Sequence, residues 1–83
     1  MSRPPEREWR FYLNDMMDCA EKVLAYTEGL DQVDFVASGL NYDATLLNLE
    51  LIGEAATHIP DEICASHQEI PWRMIIATRN RLI

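Results

Sequence analysis

The hydrophobic positions of this chain recur with the spacing of amphipathic α-helices, and no stretch alternates as a strand would. Over residues 8–27 the apolar side chains line one side of a helix, and Gly29 follows as its expected end. A short helical turn is predicted over residues 32–37. The pattern as a whole predicts an all-α protein, an antiparallel helical bundle.

A second long helix is predicted over residues 41–58, with Asn41 or Asp43 as its N-cap. Its apolar positions cover well over half of its circumference, which is typical of a central helix that packs on two sides. Gly53 lies inside it, and an interior glycine costs about 1 kcal/mol of helix stability. We therefore expect another helix to approach closely at Gly53.

After Pro60 a short third helix begins near Asp61, and Pro71 introduces the final helix. The final helix has Arg79 at the centre of an apolar stripe. Because a guanidinium cannot lose its proton, this position requires a carboxylate, a ring of carbonyls or a pocket for an anion. Alternatively, Arg79 reaches solvent at the edge of an interface and only covers its apolar neighbours. The stripe consists of Trp72, Ile75, Ile76, Leu82 and Ile83.

Length and composition indicate a single domain over residues 1–83, with a flexible lead-in at residues 1–7. A chain of this size buries only about 60–65% of its unfolded surface, so its core is thin. The last helix reaches Ile83 without a residue that ends helices. We therefore expect a missing C-terminal part, or a second copy, to complete the core.

The net charge of −7 argues against a general nucleic-acid binder. The charges are unevenly placed: residues 11–71 have one lysine and twelve acidic residues, whereas residues 72–83 have three arginines and no acid. A basic helix on an acidic body could attract a phosphate to that helix while it repels nucleic acid elsewhere.

Cys19 and Cys64 lie among apolar neighbours without metal-binding spacing, so we expect buried free thiols. No apolar run approaches the roughly 20 residues of a membrane span, and the first residues lack the apolar core of a signal peptide. We therefore expect a cytoplasmic protein that has no contact with a membrane.

Glu50, Glu54 and His58 follow one another along one face of the second long helix. This face is either solvated or engaged in a salt bridge to Arg79 or Arg73. A metal site is a third interpretation, but bundle metal sites need a Glu-x-x-His motif on a second helix, and none is present. We predict neither a metal nor another cofactor.

Several segments, in order and at matching spacing, resemble one known family. They include residues 49–55 (LELIGEA), 70–73 (IPWR) and 79–83 (RNRLI), and the likeness extends over about residues 15–83. On these segments the chain resembles the HepT family of the HEPN superfamily, whose members are small helical proteins encoded beside a minimal nucleotidyltransferase, MntA.

The resemblance implies a toxin of a toxin–antitoxin pair: a metal-independent endoribonuclease that acts on RNA as a homodimer. It also implies an MntA-like nucleotidyltransferase antitoxin, which neutralises the toxin by adding AMP to a tyrosine. The family's signature is arginine, four residues, histidine, one residue and tyrosine. Arg79 matches the arginine and Asn80 the polar residue beside it, so these are the candidate catalytic residues.

The histidine and the tyrosine of that signature would fall at positions 84 and 86, after Ile83, so we do not expect residues 1–83 alone to cut RNA. Residues five apart on a helix point about 140° apart. Either the helix ends between arginine and histidine, or sites form across a two-fold axis where two final helices meet. We favour the second, because the Arg79 stripe is apolar enough for an interface. The alternative function is a non-catalytic helical module that dimerises and binds a nucleotidyltransferase.

Overall fold

A computed structural model of the chain describes residues 6–83, and within that range it contains helices and no strand. The prediction of an all-α fold is confirmed. The helices pack into an elongated bundle with extents of 50 × 22 × 21 Å. In chain order they are α1 Glu6–Thr27, α2 Gln32–Ala37, α3 Gly39–Ala56, α4 Asp61–Ser66 and α5 Trp72–Leu82.

Helix α1 begins at Glu6, so the helix includes the last two residues of the expected lead-in, and residues 1–5 lie outside the described range. Its inner side places Met16 in the core, as the periodicity predicts. The helix ends as expected, because Gly29 adopts a left-handed φ of 74° that other residues rarely adopt. Thr27 closes the last turn by donating its hydroxyl proton to the Val23 carbonyl at 2.8 Å.

Helix α2 has the predicted bounds, and Asp31 caps it by accepting from the Asp34 N–H at 2.8 Å. The predicted caps of α3 are wrong, because this helix begins at Gly39 directly after Ser38. The Tyr42 N–H already bonds the Ser38 carbonyl at 2.9 Å, so Asn41 lies within the first turn. Its amide instead donates to the Tyr26 carbonyl at 3.3 Å and ties α3 to the end of α1.

Helix α3 is the central element, as predicted, with α1 packed on one side and α5 on the other. The buried core is small, as expected for a chain of this length. It consists of Met16, Ala55, Ala56 and Ile59, surrounded by half-buried side chains of α1, α4 and α5. This packing leaves several leucines of α3 exposed, among them Leu40, Leu47 and Leu51.

Pro60 and Pro71 act as the sequence predicts: Pro60 precedes α4 and Pro71 precedes α5. The start of α5 is fixed to the preceding loop, since the Trp72 indole N–H donates to the His67 carbonyl at 3.0 Å. Cys64 on α4 is a free thiol, as is Cys19, and both are half-buried. No helix among residues 6–83 is long and apolar enough to cross a membrane.

Candidate functional site

The candidate site begins where α5 crosses α3 at Gly53. A Cβ atom placed on Gly53 would collide with the Cβ and Cγ atoms of Arg79 and would lie 3.1 Å from the Ile75 carbonyl oxygen. The prediction that another helix approaches Gly53 closely is therefore confirmed, and the approaching residue is Arg79 itself. The absent side chain of Gly53 is what allows the aliphatic stem of Arg79 to lie against α3.

The guanidinium of Arg79 is held by two hydrogen bonds. Nη2 donates to Glu54 Oε2 at 2.6 Å and Nη1 donates to Asn80 Oδ1 at 2.9 Å. The ion pair is open to water, since the side chains of Arg79 and Glu54 are 27% and 50% exposed. Of the arrangements that the sequence allowed for this arginine, the structure shows the carboxylate.

The predicted site residues Arg79 and Asn80 are thus brought together, near the C-terminal end of α5. Between the two partners considered for the acidic face of α3, Arg79 forms the salt bridge, whereas Arg73 is exposed at the start of α5. The solvated-face interpretation holds only in part, because Glu54 is both half exposed and paired.

The apolar stripe around Arg79 faces its own chain. Trp72, Ile75 and Ile76 pack against the core cluster formed with α1 and α3. Much of the surface of these side chains is therefore covered within one protomer, and the expectation that the stripe forms an interface stays a prediction. The physical reason for this packing is that the apolar residues of α3 cover so much of its circumference that α5 packs on one side of it and α1 on the other.

A second feature adjoins the ion pair and is not predicted by the periodicity. The rings of Tyr12 on α1 and His58 after α3 are stacked, with centroids 4.3 Å apart and planes inclined by 10°. His58 Nε2 lies 3.7 Å from Glu54 Oε1. The only signal in the sequence is the spacing of four residues between Glu54 and His58; the partner ring on α1 is a tertiary contact.

The stacked rings border a cavity of about 300 Å³ between α1 and α3. Asp15, Leu51 and Cys19 contribute to its wall. Burial raises the pKa of the Cys19 thiol, an effect that Asp15 and Asp18 reinforce and Lys22 opposes. This cysteine is therefore a neutral wall residue at pH 7 and a poor nucleophile.

The metal interpretation of Glu50, Glu54 and His58 has no geometric support. In the part of the chain that the structure describes, no three His, Cys, Asp or Glu side chains come together in a way that could hold a metal ion. His58 and Glu54 are instead engaged with Tyr12 and Arg79.

Fold and site together define a small all-α protein in which an arginine on the last helix is fixed against a glycine and a glutamate of the central helix. Residues 16–83 match the model of the family described as "Ribonuclease HepT-like". The chain belongs to this HepT-like ribonuclease family, and the resemblance seen in the sequence is confirmed.

Three relatives illustrate the likeness. The chain is 33% identical over 78 residues to a "Probable ribonuclease HepT" of Thermococcus cleftensis, an alignment that covers 94% of this chain and 71% of that protein. It is 32% identical over 74 residues to a "Putative RNase" of Caldanaerobacter subterraneus, covering 89% of this chain and 66% of the relative. A "Putative RNase" of Methanocaldococcus jannaschii is 28% identical over 78 residues, covering 94% and 72%. No solved structure gave a significant match.

Proposed function

We propose that this protein is the toxin of a toxin–antitoxin pair and acts on RNA as a metal-independent endoribonuclease. The names of its relatives support RNA as the substrate. The observation that carries the proposal is the placement of Arg79: its stem rests on Gly53, and its side chain, 27% exposed, ends beside a carboxylate. In this proposal Arg79 binds the phosphate that is cut and Asn80 orients it.

The chemistry of the reaction explains the choice of an arginine. In metal-free cleavage the 2′-hydroxyl of RNA loses its proton and attacks the neighbouring phosphorus, and negative charge accumulates on the phosphorane oxygens. The bond from phosphorus to the 5′-oxygen then breaks, which leaves a 2′,3′-cyclic phosphate and a 5′-hydroxyl that takes up a proton. A fixed guanidinium stabilises this charge through paired N–H donors. Two of the five donors of Arg79 are used by Glu54 and Asn80. The phosphodiester of RNA, a monoanion, would compete with Glu54 for the guanidinium.

The attack also needs a base that takes the 2′-hydroxyl proton, and a histidine has the suitable pKa range. The family's histidine corresponds to position 84, so residues 1–83 supply the phosphate-binding side of the proposed site. The chain spans 71% and 66% of the lengths of two relatives, and cleavage is accordingly proposed for the protein that carries the whole signature.

The proposal includes a homodimer. Leu40, Leu47 and Leu51 are exposed and lie within about 40° of each other around α3. Glu54 and His58 continue nearly the same face towards the end of the helix. An interface along this leucine stripe that ends at Leu51 would therefore place the Arg79 sites of two copies at the edge of the joint, with Glu54 and His58 left open beside it.

The resemblance further suggests that a nucleotidyltransferase antitoxin of the MntA type transfers AMP to a tyrosine of this protein in the cytoplasm. The same leucine stripe supports an alternative function, in which a non-catalytic dimer binds the nucleotidyltransferase. The two functions differ in one measurement, namely whether the protein cuts RNA.

The deciding experiment expresses the protein from its complete gene and measures cleavage of single-stranded RNA in EDTA. We expect cleavage without metal, reduced by Arg79→Ala on the order of 100-fold. Arg81→Ala is the matched control, because Arg81 lies on the same helix but is exposed. Absence of cleavage by the unchanged protein, or an equal loss in both variants, would overturn the proposal.

A further inference from the structure

The cavity between α1 and α3 lies beside the proposed phosphate site. This cavity has a volume of about 300 Å³, and the residues that line it include Tyr12, Asp15, Leu51, Glu54 and His58. Glu54 is shared by the two places: its Oε2 atom bonds Arg79 at 2.6 Å, and its Oε1 atom lies 3.7 Å from His58 Nε2. A molecule with its phosphate at Arg79 would therefore have its next group within reach of the cavity.

We infer that this cavity binds one nucleobase of the RNA whose phosphate lies at Arg79, an inference that rests on the proposed function. The stack of Tyr12 and His58 offers flat rings at the cavity wall. Proteins that bind single-stranded RNA take up unstacked bases on aromatic and histidine rings. The cavity volume is at the lower end for small-molecule sites, which suits one base and not a longer segment.

The carboxylates of the cavity indicate which base fits. An ionised carboxylate only accepts hydrogen bonds, so it favours a base edge that carries adjacent N–H donors. Guanine presents such a pair, whereas uracil presents one N–H between two carbonyl oxygens. Glu54 is already engaged by Arg79, so Asp15 is the residue placed to accept from the base. The site should prefer guanine to uracil.

The two histidines of the chain allow a test with an internal control. His58 belongs to the cavity, whereas His67 lies in the loop before α5 and pairs with Glu69 at 3.2 Å. We would follow the imidazole NMR signals of both during titration with guanosine and with uridine. We expect guanosine to shift His58 and leave His67 unchanged, and to bind at least about fivefold more tightly than uridine.

Variants sharpen this test. Tyr12→Leu should lower the guanosine affinity on the order of fivefold or more, because half of the stack is removed. Tyr42→Leu is its matched control, since Tyr42 pairs with Phe35 at a ring distance of 5.5 Å in a different contact. Asp15→Asn should remove the difference between guanosine and uridine. Equal effects of the two tyrosine variants would overturn the inference.

Titration with inorganic phosphate, read at the Arg79 Nε signal, separates this inference from the proposed function. If guanosine shifts His58 but phosphate leaves Arg79 unchanged, the base site stands and the phosphate role of Arg79 is wrong. If phosphate shifts Arg79 but guanosine does not shift His58, or shifts both histidines equally, the base site is wrong and the proposed function is unaffected.

Discussion

Gly53 of α3 and Arg79 of α5 are in such close contact that no side chain fits between them. One position thus serves two purposes: it lets the last helix pack on the central helix, and it sets the place of the guanidinium. Because the neighbouring Glu54 holds the far end of the same side chain, Arg79 is fixed at both its stem and its head.

Replacing Gly53 with alanine should therefore destabilise the protein. The new Cβ would meet the Arg79 stem and the Ile75 carbonyl, and overpacking of this kind costs about 1–3 kcal/mol. The measurement is the free energy of unfolding in urea. Gly39→Ala is the control, since nothing lies within 4 Å of a Cβ there. Because alanine also gains about 1 kcal/mol over glycine inside a helix, the contact is contradicted if Gly53→Ala stabilises the protein as much as Gly39→Ala does.

Replacing Glu54 with glutamine should have a small effect on stability and a larger one on binding. A half-exposed ion pair contributes about 0–1 kcal/mol to the free energy of unfolding. Arg79, however, would lose the carboxylate that competes with phosphate, so the affinity for a short RNA should rise. Fluorescence anisotropy of a labelled oligonucleotide would measure this rise.

Glu50→Gln provides the control for that binding experiment. It makes the same change of charge one turn earlier on α3, and Glu50 is not the residue that pairs with Arg79. If both variants raise the affinity for RNA equally, the effect reflects net charge and the competition between Glu54 and phosphate is refuted.

The leucine stripe of α3 predicts where a dimer would be disrupted. Leu47→Glu places a charge on this stripe, whose burial in an interface would be costly. We expect a dimeric protein to become monomeric in sedimentation or light scattering. Val33→Glu changes an apolar residue on α2 that is more exposed than Leu47 and should leave the dimer intact. A Leu47→Glu protein that still dimerises would place the interface elsewhere.

The two thiols predict a loss of stability at alkaline pH. Burial is the main cause that raises the pKa values of Cys19 and Cys64 above their ordinary value of 9.0. Above that pH the unfolded chain releases these protons while the folded chain keeps them, so the unfolded state becomes favoured as pH rises. The Tm of the unchanged protein should thus fall more steeply between pH 8.5 and 10 than that of Cys19→Ala/Cys64→Ala, and parallel curves would refute this.

The sequence alone predicts the helices well where the signal is local. The α2 bounds, the end of α1 before Gly29 and the starts of α4 and α5 after Pro60 and Pro71 depend on the residues themselves. The start of α3 is mispredicted because Asn41, a good capping residue, is used in a tertiary hydrogen bond to α1. Capping preferences describe a helix by itself, so they take no account of the Tyr26 carbonyl with which Asn41 bonds instead.

The site shows the same division. An interior glycine and an arginine on an apolar stripe are visible in the sequence, and both prove to belong to one contact. The sequence does not predict that Gly53 and Arg79 contact each other. The helical period shows which residues share a face of one helix, but it does not show which other helix packs against that face. The stack of Tyr12 on His58 is hidden for the same reason, because its two rings are 46 positions apart in the chain.

The arrangement of the bundle also bears on its motions. Helix α5 meets the remaining helices chiefly along α3, while α1 and α3 form a separate pair. Helix α5 could therefore detach locally while α1 and α3 stay packed together. The backbone amides of α5 would then exchange with deuterium through a local opening of lower free energy than the opening of α1 and α3. An anion that bridges Arg79 to α1 or α3 would slow this exchange. Ligand binding would therefore be measured as increased hydrogen-exchange protection of α5 alone.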